Sequence, residues 1–244
     1  MLAATDIVIF SSSLSMDTAH PFTWWSSSHL WVLALVTITS TVFICTARRL
    51  NTDGRQRYCR ALALVLAVTF IAEHICNAFI MPYEEWIQKL PLHFCSAMAP
   101  VAFIALWYRK RWACAMVYFG VLAASIQALI TPTLQVDFPD IRFIAFFWSH
   151  SMLALAALMI PLVLGWRARR KDVWRSLLYA DLYLLCIAPV NLLLDTNYGF
   201  TRFSPVKGCL LDYLGAAPWY YLWLQLPALG LFYLMSLPVR ESEK

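Results

Sequence analysis

HLWVLALVTITSTVFICTARR, residues 29–49, decides the fold. From Leu30 to Ala47 it carries no charge, and it stops on the pair Arg48-Arg49. A bilayer's hydrocarbon core is crossed by roughly 20 helical residues, so this run has the length and basic stop of a membrane span. Six further runs of the same character predict helices, with this one, near 28–47, 59–80, 91–108, 111–131, 142–165, 173–194 and 217–237. The 244 residues are 61% hydrophobic and 14% charged, whereas a soluble domain carries roughly 25% charged residues. The expectation is an all-α polytopic membrane protein. A seven-transmembrane-helix bundle fills residues 28–237, preceded by an outer segment, 1–27, and followed by a cytoplasmic tail, 238–244.

The net charge of +5 does not indicate nucleic acid as a partner, because the basic residues sit in short clusters between apolar runs. They read as topology signals. Fifteen of the nineteen Lys and Arg fall on alternate connections: Arg48 to Arg60, Arg109 to Arg111, Arg167 to Arg175, and the tail. The other side holds Lys89, Arg142, Arg202 and Lys207. The positive-inside rule then places the N-terminus out and the C-terminus in. The outer connections are rich in Pro, acids and aromatic residues, with Trp24, Trp25, Trp86 and Trp219 at headgroup level. Of the seven cysteines, Cys45, Cys76, Cys114 and Cys186 lie inside apolar runs, and Cys209 has no loop partner, so no disulfide framework is expected. The N-terminus lacks the basic region of a cleavable signal peptide, and a bacterial plasma membrane is the expected location.

Polar residues within the spans should mark function, since they are costly in lipid unless they face the bundle interior. Glu73, His74 and Asn77 lie in the outer half of the second run, Gln127 ends the fourth, and Asn191 ends the sixth. Gln225 lies in the seventh, and Asp181 sits deeper than the rest. His150 falls about 12 Å below the start of the fifth run at 1.5 Å per residue. These positions point to one outer-leaflet zone.

Cys95 is the sharpest candidate. Pro91 suits a first helical position, which puts Cys95 about one turn into the third helix, near unpaired amides and the positive end of the helix dipole. That setting favours the thiolate and offers N–H groups to a developing oxyanion. His150 has a suitable depth to act as base. The plain alternatives are an inert buried thiol and an interhelical hydrogen bond. His93, two residues before Cys95, faces another neighbour and reads as a supporting or headgroup contact, Glu73 as a structural partner, and His20 and His29 as solvated.

The stretches LPLHFC (90–95), QALITP (127–132) and FFWSH (146–150), with Asn197-Tyr198 and the positions through Pro218-Trp219-Tyr220, are in order and well separated. In these the chain resembles the bacterial YwaF-type integral membrane family. That family is related to a eukaryotic transmembrane phospholipid acyltransferase and, more distantly, to the androgen-induced transmembrane hydrolases. The resemblance implies a Cys–His pair acting on lipid acyl esters, with the nucleophile at Cys95 and the base at His150. Gln127, Asn191, Asn197, Asn77, Glu73 and His93 are then supporting or substrate-binding residues. The segment Gly199-Phe200-Thr201-Arg202-Phe203 departs from the more apolar run expected there.

The implied function is acyl transfer or acyl-ester hydrolysis on phospholipids through a thioester, without CoA or any other cofactor, and with lysolipid or water as acceptor. Arg202 or Lys207 is a candidate for the lipid phosphate. The alternative is a transporter or receptor that binds a small molecule in the outer cavity. A retinal protein is disfavoured because no span core contains a Lys for a Schiff base. A metal site built from His74, His93, Cys95 and His150 is also disfavoured, since no two of them have the i, i+4 spacing of ligands sharing a helix.

Overall fold

The computed structural model describes residues 20–204, 210–217 and 219–241. Its regular structure among these residues is helical: α1 (Ser27–Arg49), α2 (Thr52–Ile80), α3 (Tyr83–Gln88), α4 (Phe94–Tyr108), α5 (Arg111–Ile130), α6 (Ile141–Leu162), α7 (Arg170–Leu194), α8 (Leu210–Tyr213) and α9 (Tyr220–Ser236). Six of these, α1, α2, α5, α6, α7 and α9, are long and apolar enough to cross a membrane. This is an all-helical polytopic membrane protein.

Local chemistry sets the helix starts. Ser26 caps α1 by accepting from the His29 amide, Asn51 caps α2 by accepting from the Gly54 amide at 2.8 Å, and Asp140 caps α6 by accepting from the Arg142 amide at 2.7 Å. The Asn51 cap starts α2 seven residues before the apolar run does. At α7, Asp172 accepts from the Arg169 amide at 2.9 Å, one half of a capping box.

The fifteen residues of α4 reach about 22 Å at 1.5 Å per residue, short of the roughly 30 Å hydrocarbon core. The third apolar run is present, but its helix begins at Phe94 rather than Pro91. Pro91 disfavours helical backbone at Leu90, and the Leu92 amide turns back to the Leu90 carbonyl at 2.6 Å. Backbone outside a helix is tolerated at this depth only where protein satisfies it. A hydroxyl helps do so, Tyr183 donating to the Leu92 carbonyl, while Tyr198 donates to the Ile87 carbonyl in the last turn of α3.

Packing centres on α4, which touches α2, α5 and α6. Its contact face is a ladder of small residues, with Ala102 and Ala105 fully buried and Ala99 nearly so. Cys59 and Ala63 of α2 and Ala156 and Ala157 of α6 are also fully buried. Small side chains let helices approach closely where lipid supplies no hydrophobic drive for association. Large apolar residues instead cover the outside, among them Trp31, Ile38, Leu185, Leu193 and Leu226. That inversion is expected when the solvent is lipid.

The middle of α5, Val117–Ser125, is π-helical, with the Ile126 amide bonded to the Val121 carbonyl five residues back. Such widened turns occur at functional sites and rotate everything that follows them. Gly120 lies inside this segment because Phe94 lies against it: a Cβ there would meet the Phe94 ring at 2.9 Å.

The two ends of the bundle differ. At one, Arg111 pairs with Asp172 at 2.5 Å, Arg169 with Glu241 at 2.5 Å, and the Ala168 amide donates to the Val239 carbonyl. Gln56 of α2 reaches the Leu106 carbonyl at the same end. At the other, the Phe22 amide bonds the Gln135 carbonyl, Trp24 Nε1 the Pro132 carbonyl, and Ser28 the Asp137 carboxylate. The basic connections thus gather on one end and the Pro-rich connections on the other.

Candidate functional site

Cys95 is the second residue of α4, after the N-cap His93 and Phe94. This is nearer the helix start than the sequence suggested, because α4 starts later. The Ala97 amide makes the first bond of the helix, to the His93 carbonyl at 2.9 Å. The amides of Phe94, Cys95 and Ser96 therefore have no partner within the helix. Cys95 is half-buried, and its Sγ accepts a hydrogen bond from the Ser125 hydroxyl at 3.3 Å. Ser125 is fully buried and closes the π-helical segment. Sequence reasoning missed it, because a serine in an apolar span usually reads as a small packing residue.

His150 lies half-buried on α6, stacked on Phe146 with ring centroids 4.2 Å apart. Its Nδ1 is 2.8 Å from the Phe146 carbonyl oxygen. A carbonyl can only accept, so the proton sits on Nδ1 and Nε2 keeps its lone pair. Nε2 makes no hydrogen bond among the described residues. Phe146 packs with Ile126, the neighbour of Ser125, in one apolar cluster, while Cys95 packs in another that includes Leu153 and Met152 of α6. His74 repeats the His150 arrangement, with Nδ1 donating to the Phe70 carbonyl at 2.7 Å and the ring on Phe70.

A second group surrounds the start of α4. Phe94 meets Tyr183 edge-on at 5.4 Å, and His93 lies 5.1 Å from Tyr198 and 5.7 Å from Phe200, centroid to centroid. Tyr220 donates to the Phe200 carbonyl and Tyr221 to the Gly199 carbonyl. Gly199 takes a left-handed backbone with φ 60°. This tyrosine layer was also missed, because each tyrosine alone reads as an interfacial aromatic.

The remaining expected site residues serve other ends. Asn191 is fully buried with every bond local: its amide donates to the Tyr198 carbonyl and to Thr201, while its oxygen accepts from Thr196 and the Tyr198 amide. Asn197 likewise holds its own loop, donating to the Phe203 carbonyl and accepting from the Arg202 amide. Together they fix the turn that carries Tyr198. Gln127 is exposed and bonds Thr131 one turn on, Glu73 is exposed, and Asn77 is half-buried. Neither these three nor His150 hydrogen-bonds Cys95, whose side-chain partner is Ser125. Asp181, the deep carboxylate, accepts from Gln225 at 2.9 Å.

Arg202 is committed to Asp195 at 2.6 Å and to the Thr196 carbonyl. Lys207 and Cys209 lie outside the described residues. His29 is fully buried rather than solvated. The Trp25 amide donates to its Nδ1 at 3.0 Å, which leaves Nε2–H to donate to the Leu129 carbonyl at 2.9 Å. Among the described residues, no three His, Cys, Asp or Glu side chains come together as a metal site.

No curated protein and no solved structure matches the chain. A family model does, that of the TMEM164 family, over residues 24–236, which takes in α1 through α9. With nearly the whole membrane domain covered, the chain belongs to the TMEM164 family, a family of transmembrane proteins.

Proposed function

We propose that this protein moves acyl groups between membrane lipids, or hydrolyses them, with Cys95 as nucleophile and His150 as base. The observation that carries the proposal is the thiol at the second residue of a helix that starts below the full membrane thickness. That thiol accepts the Ser125 hydroxyl and stands beside three amides without helical partners. The likeness of LPLHFC and FFWSH to the YwaF-type proteins and their acyltransferase relatives supports the same assignment.

In the first half-reaction Cys95 Sγ attacks the carbonyl carbon of a phospholipid ester, and its proton passes to His150 Nε2. The Phe146 carbonyl holds the opposite ring edge and so fixes which nitrogen is free. The tetrahedral oxyanion is stabilised by the amides at the head of α4. As the C–O bond breaks, His150 returns the proton to the lysolipid alkoxide, leaving a Cys95 thioester. In the second half-reaction a lysolipid hydroxyl, or water, gives its proton to His150 and attacks the thioester. The new ester or free acid departs, and the thiol is protonated again. No CoA is required.

The same reading makes α4 a seventh crossing, with the basic end of the bundle in the cytoplasm and Cys95 toward the outer leaflet. In a bacterial host that leaflet faces away from the cytoplasm.

Purified protein in nanodiscs containing phospholipid labelled in its acyl chain should acquire label that hydroxylamine removes. Cys95→Ala should acquire none. Label transfer by Cys95→Ala at the wild-type rate would end this mechanism. Loss of label in Cys95→Ala but not in His150→Ala would remove the histidine from it.

A further inference from the structure

We infer that a trough between α4, α5 and α7 is the binding site for the acyl chain of the lipid whose ester reaches Cys95. The inference rests on the acyl-transfer reading above and adds to it the place and the chemistry of the substrate's tail.

Three helices build the trough in register. Phe94 and Val101 are seven residues apart and so share a face of α4. Tyr179 and Tyr183 are four apart on α7, as are Trp112 and Met116 on α5, with Gly120 one further step along. An open volume of about 410 Å³ lies among Val101, Trp112, Met116 and Tyr179. That is within the usual range of roughly 300–1,000 Å³ for ligand pockets. Outward of it the Phe94 ring lies against Gly120 and edge-on to Tyr183. Val101, the α4 residue in the lining, lies six residues after Cys95, so the volume sits along the same helix inward of the nucleophile.

The chemistry selects the occupant. Its lining residues, Val101, Trp112, Met116 and Tyr179, carry no charge. A polar solute would need several convergent donors or acceptors to offset its desolvation. An alkyl chain needs none. The length also fits: from Ser125, which bonds Cys95, to Met116 is nine residues, at most about 13 Å at the helical rise, and one leaflet of hydrocarbon is about 15 Å deep. A chain whose carbonyl sits at Cys95 would have its methyl end near Met116.

Two measurements test this, one of them independent of catalysis. Cys95→Ala protein in nanodiscs is given a phospholipid bearing a photoactivatable diazirine at the methyl end of one chain, then irradiated and digested. The expected cross-links fall on peptides containing Trp112, Met116 or Tyr179. Val101→Phe should reduce that labelling. In otherwise wild-type protein, Val101→Phe should shift the acyl adduct toward shorter chains by roughly tenfold, the worth of about two methylenes lost from an apolar site.

Cross-links confined to lipid-facing residues such as Leu185 and Leu193, unchanged by Val101→Phe, would overturn the trough even where the adduct forms. Trough labelling without any adduct in wild-type protein would retain the trough and end the acyl-transfer reading. An adduct whose chain-length profile ignores both Val101→Phe and Met116→Ala would also overturn it.

Discussion

A single hydroxyl shows how little of the site chemistry announces itself in the sequence. Ser125 donates to Cys95 Sγ from the last residue of a π-helical segment. Cys95 and His150 stood out as candidates because a thiol after a proline and an imidazole in lipid are both unusual, and their joint action belongs to the proposal. Ser125 did not stand out, since nothing in a one-dimensional run marks a widened turn. His29 misled for the opposite reason: a histidine near a predicted boundary reads as wet, yet both its nitrogens are spent on backbone groups. The Ser125 bond should be worth about 1 kcal/mol, the usual net value of one hydrogen bond. Ser125→Ala is therefore expected to slow acylation of Cys95 about fivefold while leaving the fold intact, and Ser125→Thr to restore part of it. Acyl-adduct formation in a single turnover is the measurement. An unchanged rate in Ser125→Ala would make the contact incidental.

Elements depend on their ends as much as on their apolar middles. The runs located six long helices because length and hydropathy suffice for that. They placed the start of α4 too early because proline permits two outcomes, a helical first turn or an extended residue before it, and the Tyr183 hydroxyl of a distant helix, bonded to the Leu92 carbonyl, favours the second. The start of α6 depends on Asp140, which caps it and also receives Arg142 Nε at 2.9 Å and an Arg142 terminal nitrogen at 2.8 Å. These bonds hold the Asp140 carboxyl below its usual range. A carboxylate so lowered stabilises the fold at pH above its unfolded value, about 3.9, and the stabilisation is lost as pH falls through the lower folded value. Asp140→Ala is expected to cost about 1 kcal/mol at neutral pH, the common value for a lost cap. The difference from wild type should vanish on acidification through that window. Thermal unfolding in detergent, followed by circular dichroism at a series of pH values, gives the answer. A gap that persists undiminished at the acid end would show that the charge on Asp140 is not what holds the cap.

At the scale of the whole molecule the question is which end faces the cytoplasm, and whether α4 counts as a crossing. Arg109, Lys110 and Arg111 follow α4, and Arg111 reaches Asp172 and the Arg167 carbonyl at the basic end. Lys89, before α4, lies next to Gln88, which bonds the Asp195 carbonyl at the other. The chain therefore passes from one end of the bundle to the other through a helix of only about 22 Å, the Leu90–His93 turn supplying the remaining depth. If that passage is a true crossing, the connections must alternate in accessibility along the chain. Cysteines placed at the exposed positions Thr133 and Lys171, in protein lacking its native cysteines, test this in intact cells with a membrane-impermeant thiol reagent. Thr133→Cys should be labelled from outside and Lys171→Cys only after permeabilisation, because the end rich in Lys and Arg is retained in the cytoplasm. Adding Asn51→Cys, between α1 and α2, fixes the parity: it must behave as Lys171→Cys does. The opposite pattern at all three would invert the bundle and move the thiol to the inner leaflet. Agreement of Thr133→Cys with Lys171→Cys would mean that α6 does not cross. A split between Asn51→Cys and Lys171→Cys would mean that the short helix α4 and its turn do not span, and the thiol would then lose the protein-lined depth on which the proposed acyl transfer depends.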